Sequence, residues 1–394
     1  MKKKCLLIHN DLYSFGGAEL FAIRAINTLM RAGYDVDVVH CGGVLNVKSL
    51  SDWSGIAIDE TRLKVIRAFP FLQTLIKSRK VSLLRYALAL RAAKSYVSQY
   101  DLVVSSYGEL TVSGKKNFQF IHVPIFFHDA ESLTYLGEQA YKLSRRLARM
   151  VYVQSCRFIS GWNRQQVEKI AALANSKWTM GQVRRHYPEI VADYTYMGAK
   201  TEQCFADDVL GNWWSERRDT VVVLGRVVPG KRIEFAIEFV KKIRERGIAV
   251  NLLIVGRADA AYTADINKLI SDKSYVEWRQ GLNREQLESV ISSCKWGLHC
   301  ALFEHYGISA LELQRLGCLT LVPNSCGQAE LVEDTRFSYQ DIDDLVEKFS
   351  NIYLDEILQG ILNLHRSKKV LEHNFTQHDE YMFNYIKALE EDDY

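Results

Sequence analysis

The sequence predicts an α/β protein of two Rossmann-like domains, each a parallel sheet between layers of helices. Short β-rich apolar runs alternate with helical patterns along the whole chain, and the alternation restarts after residue 200. The 394 residues also exceed one ordinary domain of about 150. We therefore expect a first domain over 1–200, a second over 201–375, and a closing helix over 376–394 that packs back on the first. Ligands of such sheets bind beyond the carboxyl ends of the strands, so we expect the site in a cleft between the two domains.

The first half contains repeated strand–helix–strand units. Between the first two strands lies GGAELFAIRAINTLMRAG, in which Leu20, Ile23 and Met30 recur at helical spacing and Gly33 ends the helix. Because a crossover helix joins parallel strands, this unit predicts a parallel sheet. The predicted strands are Cys5–His9, Val36–His40, Leu102–Ser105, Phe118–Val123 and Val151–Gln154.

The second half repeats the pattern. Helices are predicted over Lys231–Arg246 and Arg284–Cys294, between apolar runs of strand length. The predicted strands are Thr220–Gly225, Ala249–Gly256, Ser274–Trp278, Lys295–His299 and Cys318–Val322.

The composition is that of a soluble globular protein, with 48% hydrophobic and 25% charged residues. No uncharged apolar run reaches the roughly 18 residues of a membrane-spanning helix. The start, MKKKCLLIHND, fits a buried first strand better than a signal peptide. The eight cysteines form no CxxC pair, which favours buried thiols in a reducing compartment over zinc or disulfide sites. We therefore expect a cytoplasmic protein.

The net charge of +3 conceals an asymmetry between the halves. Residues 1–200 carry 28 Lys and Arg against 15 Asp and Glu, whereas residues 201–394 carry 22 against 32. Within the basic half, Glu60–Lys94 has nine basic residues and one acid, with leucine and phenylalanine interspersed. This segment predicts either a peripheral contact with an anionic membrane or a solvated helix face. Nucleic-acid binding is less favoured, because no recognition motif accompanies the charge.

Two acids flank a turn that opens a helix in FEHYGISALELQRLGC. Gly307, Ile308 and Ser309 begin this helix, and a helix start presents unpaired N–H groups that suit a phosphate. Glu304 precedes the turn and Glu312 lies in the second turn of the helix. A carboxylate would repel a phosphate, so we interpret the acids as acceptors for the hydroxyl pairs on either side of a diphosphate, as in a nucleotide sugar. Taken singly, Glu304 could be a loop charge and Glu312 a helix-surface acid.

A second motif, VVVLGRVVPGKRIEF, places two cations after the first strand of the second domain. The strand ends at Gly225, Arg226 follows it, and Lys231 lies just past a Pro-Gly turn. Arginine offers a planar fork and lysine a point charge, so together they can bracket a diphosphate. For this motif alone, a basic surface loop is the alternative.

Together these stretches resemble the family 4 retaining glycosyltransferases, which have the GT-B fold of two facing Rossmann-like domains. The resemblance rests on the E-x7-E pattern of Glu304 and Glu312, the Gly-Arg…Lys loop over 225–231, and the Gly-Gly-Ala-Glu turn over 16–19. It spans most of the chain and is strongest over about 220–335.

The resemblance implies a role for each matching residue of the second domain. Glu304 would contact hydroxyls of the donor sugar, and Glu312 would bind the ribose diol. Arg226 and Lys231 would hold the diphosphate and neutralise the leaving group, while the amides over 307–309 would bind the same phosphates.

The resemblance also implies contacts from other loops. His122, which Val-Pro follows, would contact the donor hexose from a strand end of the first domain. The turn at Gly16 and Gly17 would lie close to the diphosphate or the acceptor. The base would lie near Arg257 and the backbone of Leu282.

The chain departs from the family pattern at two places. Lys231 is followed by Arg232 where the family usually has glycine, which weakens the match of this loop. The Pro-Gly that closes the first domain is Met197-Gly198 here, which blurs the domain boundary.

Two Asp-x-Asp pairs resemble the metal-binding motif of other glycosyltransferases. Asp35 and Asp37 lie at the start of a strand, where we expect them to face solvent, and Asp341 and Asp343 lie in a polar stretch. Because two cations and a helix start can stabilise a diphosphate, we expect neither a metal nor another cofactor.

The sequence therefore predicts a metal-independent, retaining hexosyltransferase with a nucleotide-sugar donor and a glycan or lipid-linked acceptor. Guanine presents adjacent N–H donors that favour a carboxylate, and Asp259 and Glu277 lie near the predicted base pocket. This favours GDP-mannose over a UDP-hexose. The alternatives are a GT-B-fold sugar-nucleotide epimerase and a nucleotide-sugar-binding protein without turnover. A nicotinamide oxidoreductase is disfavoured, because FGGAEL lacks GxGxxG after the first strand.

Overall fold

The computed structural model describes residues 2–13, 16–72, 76, 81–127, 143–199, 212–258, 260–332 and 334–391. Contacts divide the chain into two compact units. Within the described residues, the first unit comprises residues up to 127, 143–197 and 375–391, and the second comprises 198–199 and 212–374. The sequence analysis placed the division after residue 200.

The first unit contains a seven-stranded sheet in which each strand pairs in parallel with its neighbours. Its spatial order is β3-β2-β1-β4-β5-β6-β7. The strands are β1 (Lys3–Ile8), β2 (Tyr34–His40), β3 (Leu63–Arg67), β4 (Leu102–Ser105), β5 (Lys116–Ile121), β6 (Ala172–Ala174) and β7 (Ala192–Tyr194). The continuous apolar run Cys5–Ile8 in β1 is fully buried, as expected for a central parallel strand that has helices on both faces.

Six described helices precede the second unit, and they pack around this sheet. They are α1 (Gly17–Arg31), α2 (Val47–Ser54), α3 (Ser82–Ala93), α4 (Leu143–Ser160), α5 (Arg164–Glu168) and α6 (Lys177–His186). The apolar face predicted for α1 is buried, including Leu20, Ile23 and Met30. The predicted strand–helix–strand unit is therefore confirmed.

The predicted strand Val151–Gln154 is wrong, because these residues lie inside α4. Its β-branched and aromatic residues favour a strand locally. However, Val153, Cys156 and Ser160 are buried at helical spacing, and α4 packs against α3. Tertiary packing of this helical face therefore outweighs the local preference.

The segment Glu60–Lys94 contributes β3 and α3 to the first unit. Its residues Leu83 and Leu90 are buried, and Arg85 makes a buried ion pair with Asp11 at 2.8 Å. Phe71 remains 77% exposed. The described face of α3 is therefore part of a core rather than a solvated helix.

The second unit contains a six-stranded sheet, also with parallel pairs, in the order β10-β9-β8-β11-β12-β13. The five predicted strands are present, and the two-residue β13 was not anticipated. The strands are β8 (Arg218–Leu224), β9 (Asn251–Val255), β10 (Val276–Arg279), β11 (Cys294–Leu298), β12 (Leu319–Pro323) and β13 (Ser338–Tyr339). The helices are α7 (Asn212–Ser215), α8 (Ile233–Glu245), α9 (Ala260–Ile270), α10 (Arg284–Ser292), α11 (Ile308–Arg315), α12 (Ile342–Leu354) and α13 (Glu356–Glu372). Trp296 of β11 is fully buried, with its ring 4.8 Å from that of Phe349 in α12.

The last described helix, α14 (Phe375–Glu391), belongs to the first unit and packs against α1. Arg24 donates to Asp379 at 3.0 Å, and its guanidinium lies 3.8 Å from the Phe375 ring centroid. The Tyr385 ring lies 4.9 Å from that of Phe118 in β5. This helix therefore completes the cover of the first sheet near its middle strands.

Two features bear on the expected environment. No helix in the described part of the chain has the length and hydrophobicity needed to cross a bilayer. Of the seven cysteines that the structure describes, all are free thiols and six are buried. Cys204 lies outside the described residues.

Candidate functional site

Three loops of the second unit meet beyond the carboxyl ends of neighbouring strands. β9, β8 and β11 are adjacent in the sheet, so the loops that follow them emerge at one edge. Gly225 follows β8 and Gly256 follows β9, with φ of 137° and 151°. A Cβ built on Gly256 would lie 1.7 Å from the carbonyl oxygen of Gly225. Only glycine permits this close approach of the two loops.

The start of α11 forms the centre of the candidate site. Gly307 is its N-cap and has a left-handed conformation, with φ of 99°. A Cβ on Gly307 would lie 3.2 Å from Leu331 and 3.3 Å from Gln328, so the position is both strained and crowded for any other residue. The amides of Ile308 and Ser309 lie in the first turn, where the helix itself provides no acceptor. This end of the helix is therefore suited to an anion.

The structure brings Lys231 into contact with Glu304. The ammonium donates to Oε2 of the carboxylate, and both side chains are less than a quarter exposed. Burial alone would raise the pKa of Glu304, but the positive charge of Lys231, together with the polar imidazole of His299, outweighs this effect and holds the pKa well below its usual range. Glu304 is therefore a carboxylate at neutral pH, and its backbone oxygen also accepts from Gly327 at 3.0 Å.

His299 is a site residue that the sequence analysis did not identify. It follows β11 directly and is 3% exposed. Its Nε2 lies 3.6 Å from Oε2 of Glu304, and its Nδ1 lies 3.4 Å from Oγ of Ser309. Burial lowers the pKa of His299, so the ring is neutral. The sequence feature that could have identified His299 is its position at the end of a predicted strand, five residues before Glu304.

Glu312 lies on the same helix and is held by an arginine. Arg284, the first residue of α10, donates from Nη1 to Glu312 at 2.8 Å and from Nε to Glu288 at 2.6 Å. The Glu312 side chain is 14% exposed, so it is more enclosed than a helix-surface acid. Arg284 was also not identified from the sequence, because its spacing from Glu312 corresponds to no local motif.

The remaining cations occupy the loops after β8 and β9. Arg226 is exposed, and no residue in the described ranges pairs with it. Arg257 is also exposed, and a Cβ on Gly281 would lie 3.7 Å from its Nη2. Leu282 is partly buried against the core cluster that includes Val255. Arg257 therefore lies beside the loop that contains Leu282.

The structure describes one of the two residues proposed to select guanine. Asp259 lies outside the described residues. Glu277 lies on the edge strand β10 and accepts from Nε of Arg279.

The departure at Arg232 has a visible consequence. Arg232 takes a left-handed conformation, with φ of 52° and ψ of 50°, at the N-cap of α8. Glycine adopts this conformation without strain, which explains the usual glycine here. Arg232 donates to the Cys300 carbonyl at 3.3 Å and lies 4.4 Å from the Phe235 ring centroid.

Three predicted site residues belong to the first unit. Gly16 is the N-cap of α1, where its N–H donates to Oε2 of Glu19 at 2.8 Å, and Gly17 is the first residue of that helix. His122 follows β5, with its Nδ1 3.5 Å from Nδ2 of Asn175. All three therefore lie just beyond the carboxyl ends of strands β1 and β5 of the first sheet.

A polar cluster at the same edge of the first sheet was missed by the sequence analysis. It combines the Asp11–Arg85 ion pair with His9, whose Nδ1 lies 2.9 Å from Oγ of Ser106, and with the buried His40. Burial lowers the pKa of both His9 and His40 to about 4. Its residues come from the ends of β1, β2 and β4 and from α3, so no local motif reveals the cluster.

The Asp-x-Asp pairs have other partners. Asp35 accepts from Arg62 at 3.0 Å and Asp37 from the Tyr100 hydroxyl at 2.6 Å, so both are partly buried rather than turned to solvent as expected. Asp341 caps α12 by accepting from the backbone N–H of Asp343 and Asp344. Each of these three carboxylates therefore has a hydrogen-bond partner within the protein.

Residues 212–366 match the family model described as "Glycosyl transferases group 1". The matched segment contains all the second-unit candidates described above. A curated relative, the GDP-Man:Man(3)GlcNAc(2)-PP-Dol alpha-1,2-mannosyltransferase of Dictyostelium discoideum, is 29% identical over 125 residues. That match covers 29% of this chain and 24% of the relative, so the chain spans about a quarter of the curated protein that it matches.

Solved structures match over nearly the whole chain. Sucrose-phosphate synthase from Thermosynechococcus elongatus has a TM-score of 0.71 and 17% identity, over 98% of this chain and 99% of that one. WaaG, a glycosyltransferase involved in lipopolysaccharide biosynthesis, has a TM-score of 0.68 and 16% identity, over 97% and 99%. Anabaena HepE in complex with UDP and glucose has a TM-score of 0.64 and 14% identity, over 98% and 100%. The chain therefore has the GT-B fold of glycosyltransferases, and its second unit carries the segment that matches the group 1 model.

Proposed function

We propose that this protein is a family 4 retaining glycosyltransferase that transfers a hexose from a nucleoside-diphosphate donor to a hydroxyl group of a glycan or lipid-linked acceptor. The observation that carries the proposal is the contact of Lys231 with Glu304 at the start of α11, with Glu312 on the same helix. These three residues lie within the segment that matches the group 1 glycosyltransferase model. A cation, an anion-binding helix start and two acids are the groups that a nucleotide sugar needs.

In the proposed complex the diphosphate lies at the amides of Ile308 and Ser309, between Arg226 and Lys231. Charge accumulates on the diphosphate as the glycosidic bond breaks, and fixed donors and cations stabilise that charge. The acceptor hydroxyl attacks on the face that the diphosphate leaves, so configuration is retained. These groups supply the positive charge that a metal would otherwise supply, and we propose that transfer needs none.

The acids act on the hydroxyl groups on either side of the diphosphate. Glu304 accepts from hydroxyls of the transferred hexose, and Glu312 accepts from the ribose diol. A carboxylate acceptor roughly doubles the strength of a hydrogen bond compared with a neutral one.

We propose GDP-mannose as the donor. The support is the name of the curated relative, a GDP-mannose-dependent mannosyltransferase with a dolichol-linked acceptor. The solved HepE complexes contain UDP or UDP-glucose, which makes a UDP-hexose the second candidate. An acceptor linked to a lipid would bring the protein to the cytoplasmic face of a membrane. The exposed basic residues of Glu60–Lys94, which include Lys64, Arg67, Arg91 and Lys94, are suited to anionic lipid.

Two measurements test the proposal. Calorimetric titration with GDP-mannose, UDP-glucose and their free diphosphates should show binding, with GDP-mannose the tightest. Incubation with the labelled donor should release GDP slowly without an acceptor and faster with a lipid-linked oligosaccharide. A protein that binds none of these ligands, or that returns an epimerised sugar nucleotide without an acceptor, would contradict the proposal.

A further inference from the structure

His299 connects the two parts of the donor site. Its ring lies between Glu304, which the proposed function assigns to the sugar, and Ser309, which it assigns to the phosphates. Its backbone is fixed on both sides, because its N–H donates to Leu321 at 2.9 Å and its carbonyl accepts from the Tyr339 hydroxyl at 2.7 Å. The ring therefore has a defined position between the two groups.

The contacts determine which ring nitrogen carries the proton. Ser309 is a hydroxyl that can donate to Nδ1, whereas Glu304 is a carboxylate that can only accept. With the proton on Nε2, the ring donates toward Glu304 and accepts from Ser309, and both interactions are favourable. With the proton on Nδ1, the lone pair of Nε2 would face a carboxylate oxygen. The neutral ring is therefore the Nε2–H tautomer.

The ion pair of Lys231 with Glu304 must loosen when a diphosphate binds. In the proposed complex Lys231 serves the phosphates, so its ammonium can no longer fully compensate the enclosed carboxylate. His299 is the other group in contact range of Oε2, at 3.6 Å. A shift of a few tenths of an ångström would bring this pair within hydrogen-bond distance.

We propose that His299 is a positioning residue that holds the Glu304 carboxylate toward the donor sugar when Lys231 turns to the diphosphate. This inference rests on the proposed function and extends it. It assigns His299 chiefly to recognition of the sugar, so removing the imidazole should weaken binding of GDP-mannose by a larger factor than binding of a diphosphate without a sugar.

The test compares GDP with GDP-mannose in three variants. His299→Phe keeps the ring volume and removes both nitrogens, whereas His299→Gln keeps an N–H donor near the position of Nε2. His373→Phe is the matched control, since His373 is another buried histidine of this unit, with its Nδ1 2.9 Å from the Tyr306 hydroxyl. Affinity is measured by calorimetry and transfer by kcat/KM, with thermal unfolding to check that each variant is folded.

We expect His299→Phe to lose about ten- to a hundredfold in GDP-mannose affinity and in kcat/KM, the loss for a hydrogen bond to a charged group. GDP affinity should fall by a clearly smaller factor, because Lys231 also leaves Glu304 in that complex but no sugar hydroxyl is recognised there. His299→Gln should recover most of the loss, and His373→Phe should show none of it.

Two results would overturn the inference while leaving the proposed function intact. One is a native preference for GDP-mannose over GDP that survives in His299→Phe. The other is an equal loss of GDP and GDP-mannose binding in that variant, which indicates a general structural role. If the native protein binds neither ligand, the proposed function fails first and this inference fails with it.

Discussion

At the scale of single residues, both acids of the candidate site are paired with cations of the second unit. Glu304 contacts Lys231, and Glu312 accepts from Arg284. An enclosed carboxylate needs such partners, because burying an unpaired charge is strongly unfavourable. The pairs therefore compensate the charges of the acids and hold them close to the start of α11, where hydroxyl groups can replace or join the cations.

Replacing Glu304 by alanine should lower kcat/KM for transfer. Sugar hydroxyls would lose a charged acceptor, which corresponds to about 1.5–3 kcal/mol of transition-state binding. Glu372→Ala is the matched control, since Glu372 is an exposed acid of the same unit that is bonded to Lys369. Transfer by Glu304→Ala within about twofold of the native rate would rule out the proposed role.

The Glu304 ion pair should also make stability depend on pH. The folded-state pKa of Glu304 lies below its ordinary value of 4.5, so the stabilisation is present above about pH 4.5 and is lost as the pH falls toward the folded-state pKa. Urea unfolding at several pH values between about 6 and 3 should therefore show a steeper loss in the native protein than in Glu304→Gln. Curves that remain parallel throughout this range would show that the pair contributes no such stabilisation.

Arg284→Gln should weaken GDP binding about five- to tenfold, because Glu312 would lose the cation that orients it toward the proposed ribose. Arg279→Gln provides the comparison, since this arginine also bonds to a glutamate but on the edge strand β10. Calorimetry should find GDP affinity unchanged in that second variant. Equal GDP affinities in the native protein and both variants would show that Arg284 is not part of the site.

At the scale of elements, one unusual backbone conformation in the loops can be predicted from the sequence and another cannot. Gly307 was expected to open α11, and its positive φ agrees with a glycine at that point. Cys326 has φ of 59° and ψ of −162°, a region occupied almost only by glycine. No sequence rule assigns cysteine to that region. It precedes the short 3₁₀ helix Gly327–Leu331, which packs against the Gly307 turn.

Cys326→Gly should raise the free energy of unfolding by about 1 kcal/mol. Relief of the strained backbone, about 1–3 kcal/mol, exceeds the extra unfolded-state entropy of glycine, about 0.5–1 kcal/mol. Cys326→Ala removes the same thiol without relieving the backbone, so it should give no such gain. The measurement is the urea midpoint of unfolding of the native protein and the two variants. A midpoint of Cys326→Gly at or below that of Cys326→Ala would show that the backbone at Cys326 is not strained.

The helices and strands that were predicted correctly share a strong local signal. β1, β8 and β9 are central strands with long buried apolar runs, and α1 has a clear helical face. The short strands β6, β7 and β13 have two or three residues each, too few for a pattern. The strand prediction at Val151–Gln154 failed because the packing of α4 outweighs local β preference.

At the scale of the whole molecule, the parallel order of each sheet explains why motifs distant in sequence form one site. β8, β9 and β11 are neighbours in the second sheet, so the loops that follow them share an edge. The first of these loops begins at residue 225 and the last at residue 299, so they are distant in sequence. This edge of the sheet, and the site residues that belong to short sequence motifs, could be predicted from the sequence. His299 and Arg284 could not be predicted in this way. Their proposed roles depend on contacts with Glu304, five residues away, and with Glu312, 28 residues away, and no spacing rule encodes either contact.

The most direct measurement is the position of GDP-mannose in a crystal structure of the complex. We predict the diphosphate at the amides of Ile308 and Ser309 with Arg226 and Lys231 beside it, the ribose diol at Glu312 and the mannose at Glu304. A diphosphate bound elsewhere, or a ribose and a mannose that touch neither acid, would contradict the central claim that these charges recognise one nucleotide sugar.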